Sequence, residues 1–273
     1  MFVAHGATLT SMRRLPRALR ALLFSTAILT YGTLARADDA LPQVNAADHG
    51  RFVAVLDWHD VQNVPEVWFD TTTARFAAQL DEIARDGIHV VTLAALRDHL
   101  TRGTPLPKRS IAITFDDNGD GIARNAFPLL VRHRFPATLF VHTNFVGKTT
   151  TKRHNTWHDL QTMERSGLVT VESLTANHPP DLRALSDAEV VHELQLSRRS
   201  IRARLGHDVD ALVYPEDNYD ARLERLAHAN GYVLGFTEDH GNADDSANLL
   251  EIHRYSILKQ FDTAIADVLA ASP

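Results

Sequence analysis

The chain has 273 residues, no cysteine, 44% hydrophobic residues and a formal net charge of −6. Those figures exclude a disulfide-stapled mini-protein, a thiolate-held zinc or iron–sulfur site and a disordered tail protein. The length suits one or two domains with a sizeable core.

At the N-terminus, Arg13, Arg14, Arg17 and Arg20 precede an apolar stretch over 21–34, and Ala35-Arg36-Ala37 follows. A cationic start, a short apolar segment and a small-x-small end predict a secretory signal cleaved after Ala37, with no stable membrane span after cleavage. The mature chain would then have 236 residues (273 − 37). Residues 1–37 hold five arginines and no acid, so its formal charge becomes −11 (−6 − 5). Such acidity argues against nucleic acid or an anionic membrane as partner. The expected location is the periplasm or the cell exterior.

A polar lead-in over 38–50 comes before the predicted domain, 51–273. Phe52 to Leu56 reads as a strand. Thr73 to Arg85 reads as a helix, with Phe76, Leu80 and Ile83 at helical spacing. Gly87 stops it, Ile88 to Leu93 is the next strand, and Ala94 to Leu100 is a short helix. Ile111 to Phe115 is a strand. Gly121 to His133 is a helix in which Pro128 requires a kink or a late start. Ala137 to Val141 is extended, Trp157 to Ser166 helical, and Leu168 to Glu172 extended. Ser186-Asp-Ala-Glu189 is a capping box opening a long helix. Ala211 to Tyr214, a helix over 221–230, Val233 to Phe236, Ile252 to Ile257 and a final helix over 261–270 complete the series.

Regular strand–helix alternation predicts an α/β fold with parallel strands covered by helices. About seven such units favour a closed or nearly closed barrel, in one domain, over an open sheet. Reactive groups in such barrels stand at the C-terminal ends of strands. Four predicted strand ends carry polar clusters: Asp57-Trp-His59-Asp60, Asp116-Asp117-Asn118, Glu172 through His178, and Tyr214-Pro-Glu216-Asp217. Carboxylates and histidines gathered on one rim suit metal-assisted hydrolysis.

The string Ile111-Ala-Ile-Thr-Phe-Asp116-Asp117, with Phe135 to Val141, Glu172 to Leu182, Leu185 to Glu189 and Tyr214 to Asp220, resembles the polysaccharide deacetylases, the family 4 carbohydrate esterases of the NodB-homology fold. Asp57-Trp-His-Asp-Val61 is similar to the branch acting on poly-β-1,6-N-acetylglucosamine. The resemblance covers about residues 50–258. It implies an incomplete seven-stranded (β/α) barrel that removes N-acetyl groups from an N-acetylglucosamine-containing polysaccharide. By the same resemblance Asp116 is the general base, Asp117 and His178 bind one divalent metal (zinc, or cobalt or nickel), and His59 is the general acid. Tyr214 and Glu216 border the oxyanion and substrate.

The sequence departs from the family pattern at a ligand. Leu174 stands where the family has its first metal-binding histidine, and an isobutyl group has no lone pair. Asn118 replaces the usual glycine after the aspartate pair, and Glu216-Asp217 replaces an aromatic-glycine step. His154, His158 and Glu172 are the candidates for a replacement ligand. The alternative is a degenerate deacetylase fold that binds glycan or assists exopolysaccharide assembly. The oligomeric state is not legible in the sequence.

Overall fold

Apolar runs of five or six residues, buried on both faces, set the architecture, as expected of parallel strands under helices. The computed structural model describes residues 40–45 and 52–271. The segment read as an export signal, 1–37, lies outside them, as does the greater part of the lead-in. In chain order the elements are β1 (Val53–Trp58), β2 (Val61–Gln62), β3 (Thr71–Thr72), α1 (Thr73–Arg85), β4 (His89–Val90), α2 (Leu93–Arg102), β5 (Ser110–Phe115), α3 (Phe127–His133) and β6 (Ala137–Val141). There follow α4 (Trp157–Arg165), β7 (Val169–Ser173), α5 (Asp187–Leu205), β8 (Ala211–Val213), α6 (Ala221–Ala229), β9 (Leu234–His240), β10 (Ile252–Ser256) and α7 (Ile257–Ala270).

Seven parallel strands form a ring in the order β1-β10-β9-β8-β7-β6-β5, closed by β1 pairing with β5 along its whole length from Val53↔Ser110 to Trp58↔Phe115. This is one strand short of a complete (β/α)₈ barrel. The eighth strand of the sheet, β4, pairs with β5 only at His89↔Ser110 and Val90↔Ile111, while β6 pairs further along at Thr114 and Phe115. The stretch read as a strand over 88–93 therefore contributes two paired residues, because Thr92 turns away to cap α2 by accepting from the Ala95 N–H.

Local chemistry explains most boundaries. The Ser186–Glu189 and Thr156–Asp159 capping boxes start α5 and α4. Pro128 sits in the first turn of α3, after a π-helical turn over Ile122–Ala126, so the late start is what occurs. The last helix begins at Ile257, four residues earlier than its periodicity indicated, and β9 runs on to His240. Trp58 locks α1 to the barrel: its ring packs edge-on to Phe76 at 5.5 Å, and Nε1 donates to Gln79 Oε1 at 3.1 Å. Among the described residues no helix is long and apolar enough to cross a membrane.

Candidate active site

Barrel order decides which polar residues meet. β10, β1 and β5 are consecutive in the ring, and Asp57 on β1 is in register with Ser256 and Thr114. Arg254 stands two residues before Ser256, hence on the same side of its strand. Its guanidinium, fully buried, is bidentate on Asp116 (Nη1–Oδ1 3.1 Å, Nη2–Oδ2 2.8 Å), and Nη1 lies 3.2 Å from Asp57 Oδ1. Each oxygen of Asp116 keeps a second lone pair for another donor. Burial works against the charge on Arg254, but the carboxylates of Asp116 and Asp57 outweigh it and hold its pKa above the ordinary value. Asp57 is pushed up to about 8 by burial, with Arg254 opposing. Burial also disfavours charge on His59, yet Asp57, Asp117 and Asp116 together raise its pKa. Its ring packs on Phe69 at 5.0 Å, with Nδ1 3.9 Å from Asp57 Oδ2.

The opposite side is built by β5, β6 and β7, also consecutive. His178 Nε2 lies 3.6 Å from Asp117 Oδ1, and His178 Nδ1 is 4.0 Å from Glu216 Oε1. Glu193 of α5 anchors the His178 loop by accepting from the Ala176 and Asn177 N–H groups at 3.1 and 2.8 Å. Asn155 ties the segment before α4 to the Asp117 loop, donating to Asn118 Oδ1 at 3.1 Å and to the Gly119 carbonyl at 2.7 Å. That zipper brings in His154. His142, at the end of β6, packs its ring against His154 at 4.9 Å and His178 at 5.4 Å. Burial drives His142 down to about 4.

The candidate site residues share one cleft of about 390 Å³: His59, Asp116, Asp117, Leu174, His178, Tyr214 and Glu216 all line it. Asp117 and His178 also line an adjoining cavity of about 260 Å³ with His142, His154, Phe145 and Lys152. Tyr214 contributes ring and backbone only, since its hydroxyl donates to the Leu250 carbonyl at 2.9 Å and its N–H to the Phe236 carbonyl at 3.4 Å.

Backbone strain marks the same rim. Six of the eight non-glycine residues with positive φ among the described residues stand here: Asp117 (69°), Asn118 (60°), Thr175 (61°), His178 (50°), Glu216 (53°) and Asp217 (54°). Each such conformation costs of order 1–3 kcal/mol and persists only where the surroundings enforce it. Asn118 and Asp217 are thus asparagine and aspartate in the left-handed region, the side chains that tolerate it best after glycine.

Residues 103–235 match the family model described as polysaccharide deacetylase. Over that stretch the chain is similar to a polysaccharide deacetylase domain. A protein of Staphylococcus epidermidis named poly-beta-1,6-N-acetyl-D-glucosamine N-deacetylase is 27% identical over 213 residues, 73% of this chain and 72% of that protein. The protein of the same name from Staphylococcus aureus is 26% identical over 158 residues, 54% of this chain and 53% of that one. YxkH of Bacillus subtilis is 24% identical over 182 residues, which span 67% of this chain and 63% of that protein. The fold is that of IcaB from Ammonifex degensii (TM-score 0.73, 22% identity, 80% of this chain and 97% of that one). It is equally that of the Streptococcus pyogenes deacetylase PplD (TM-score 0.73, 22% identity, 81% and 98%).

A catalytic zinc takes three protein ligands and keeps one open position. At this cleft Asp117 and His178 offer two donors, and Leu174, buried at the cleft wall, offers none. Of the candidates for a replacement, Glu172 faces away: its carboxylate accepts from the Asp210 and Ala211 N–H groups at 3.1 and 3.0 Å. His158 lies on α4 and lines neither cavity. His154 does line one. His142 and His154 are the imidazoles that share a cavity with Asp117 and His178.

Among the described residues one group of three, Asp57, His59 and Glu238, brings a donor atom each within 4.8 Å of one another and could hold a metal. Arg254 at 3.2 Å from Asp57 opposes a second cation there. On the Asp117–His178 side the neighbouring cation, Lys152, is taken up by Asp60 and Asp70.

Arg254, His142 and Glu238 escaped the sequence reading. Arg254 had one signal, a charged residue inside an otherwise strand-like run, Ile252 to Ile257. His142 had none beyond following a strand.

Proposed function

We propose that this chain is a divalent-metal-dependent hydrolase that cleaves the N-acetyl amide of an N-acetylglucosamine-containing polysaccharide. The reading is carried by one observation: an arginine-clamped aspartate, an aspartate–histidine pair and a histidine of raised pKa open on a single cleft. The names of the staphylococcal relatives point to the same substrate class.

The ion, held by Asp117, His178 and a third donor, would polarise the acetyl carbonyl and acidify a water. The remaining work falls to the chain. Asp116, fixed by Arg254, accepts the proton of the attacking water through the lone pairs that the guanidinium leaves free. The C–N bond breaks as His59, kept protonated by Asp57, Asp117 and Asp116, gives its proton to the departing amine. Acetate and a glucosamine unit result. Trp68, 80% exposed at the cleft mouth, and Phe69 offer faces for a pyranose ring. Export by the segment 1–37 belongs to this reading, since a polysaccharide of this class lies outside the cytoplasm.

The purified chain, supplied with Zn²⁺ or Co²⁺, should release acetate from N-acetylglucosamine oligomers, and Asp116→Asn should lower that rate by ~10²–10⁴-fold. Leu174 favours the second reading, a degenerate barrel that only binds glycan. Absence of acetate from the wild-type chain, with Leu174→His creating the activity, would establish it.

A further inference from the structure

The missing ligand has a neighbour at the end of the next strand. Val141 on β6 and Ser173 on β7 are the last pair of their ladder, and the Leu174 N–H still donates to the Val141 carbonyl at 3.0 Å. The Thr143 N–H then goes to the Thr175 carbonyl at 3.2 Å, so the regular register ends there. His142 and Leu174 are the residues that follow the last pair on adjoining strands. One imidazole is absent after β7 and one is present after β6.

We infer that His142 is the third metal ligand, joining Asp117 and His178 in place of residue 174; this rests on the metal-dependent reading above. Two imidazoles sharing a tetrahedral ion with metal–nitrogen bonds of ~2.0–2.1 Å hold their ring centres roughly 5 Å apart. His142 and His178 are 5.4 Å apart with ring planes at 85°. Their donor atoms do not converge as closely as those of Asp57, His59 and Glu238, so the assignment requires the side chains to close on the ion.

His142 is 94% buried, and its Nδ1 has no hydrogen-bond partner. A buried, unpaired ring nitrogen costs free energy that an ion at the cavity would recover. His154 is the competitor. Its Nδ1 donates to the Lys148 carbonyl at 3.1 Å, leaving Nε2 with a lone pair, but its ring is held by that bond whereas the Nδ1 of His142 has no partner.

The test measures metal rather than turnover. The full chain is stripped and titrated with Zn²⁺, and with Co²⁺ followed by its visible absorption, which reports coordination number and donor type. The wild type should bind one equivalent. His142→Gln should bind more than ~100-fold more weakly, since even outer-sphere partners are worth ~10–100-fold. His154→Gln should keep its equivalent. Adding Leu174→His to His142→Gln should restore binding, which a merely misfolded variant would not do. Wild-type affinity in His142→Gln, or loss of the ion in His154→Gln instead, would overturn the assignment, while metal-dependent acetate release by the wild-type chain would still support the proposed function. A wild-type chain that neither binds metal nor releases acetate would overturn the proposed function with it.

Discussion

The two walls of the cleft solve opposite electrostatic problems. On the β10-β1-β5 side, Asp57 and Asp116 are buried around one guanidinium. On the β5-β6-β7 side, Asp117 meets imidazoles only, and His142 is kept neutral by burial. The first wall carries its own cation between its carboxylates; the second is built of lone pairs, and its neighbouring Lys152 is held by Asp60 and Asp70. A protein cation at the base orients a proton acceptor, whereas one taken up by other carboxylates leaves room for an ion beside Asp117 and His178.

The largest expected effect lies in the first wall. Replacing Arg254 by Gln leaves two buried carboxylates without their partner, and breaking a buried ion pair typically costs ~3–5 kcal/mol. Urea unfolding at pH 7 should show that loss, partly recovered by adding Asp57→Asn, because one carboxyl then needs no compensation. If Arg254→Gln unfolds at the wild-type midpoint, the first wall is not self-sufficient and the contrast between the walls fails.

A smaller effect separates proton donation from metal binding. His59→Gln should lower acetate release by ~10²-fold or more while leaving Zn²⁺ affinity unchanged, since His59 belongs to the first wall. In the wild type the donor form of His59 is lost as pH rises through its raised pKa. The alkaline limb of the rate profile should therefore disappear in the variant. A variant that loses Zn²⁺ would move His59 into the metal wall.

The barrel was legible because strand burial on both faces writes itself as apolar runs, and the rim because polar residues follow those runs directly. Asp116, Asp117, His178 and His59 meet where strand ends meet. What was not legible depends on register, which apolar runs do not specify. His142 is one of 15 histidines in the chain, and only the Val141↔Ser173 pairing puts it beside Leu174. Arg254 carried its charge in plain view, but its partners sit 138 residues away on β5 and further on β1. The shortening of β4 has a local cause instead: Thr92 serves as a helix cap, and a residue cannot end a strand late and cap a helix early.

Glu172 supplies the finest test, because it resembles Asp57 without sharing its wall. Burial pushes both up to about 8, but Glu172 is compensated by two backbone N–H donors rather than by an arginine. The sign follows from proton counting. Between about 4.5 and 8 the unfolded chain has released the Glu172 proton and the folded chain has not, so stability falls as pH rises through that window. Glu172→Gln keeps an acceptor for both N–H groups and removes the titration, so its unfolding midpoint should fall less between pH 5 and 8 than the wild type's. Any slope left in the variant belongs to the other buried titrating groups, Asp57 first among them, and Asp57→Asn should reduce it. If Glu172→Gln leaves the whole slope in place, the pH dependence resides in the charged wall of the cleft, and backbone donors alone are enough to keep a buried carboxylate ionised.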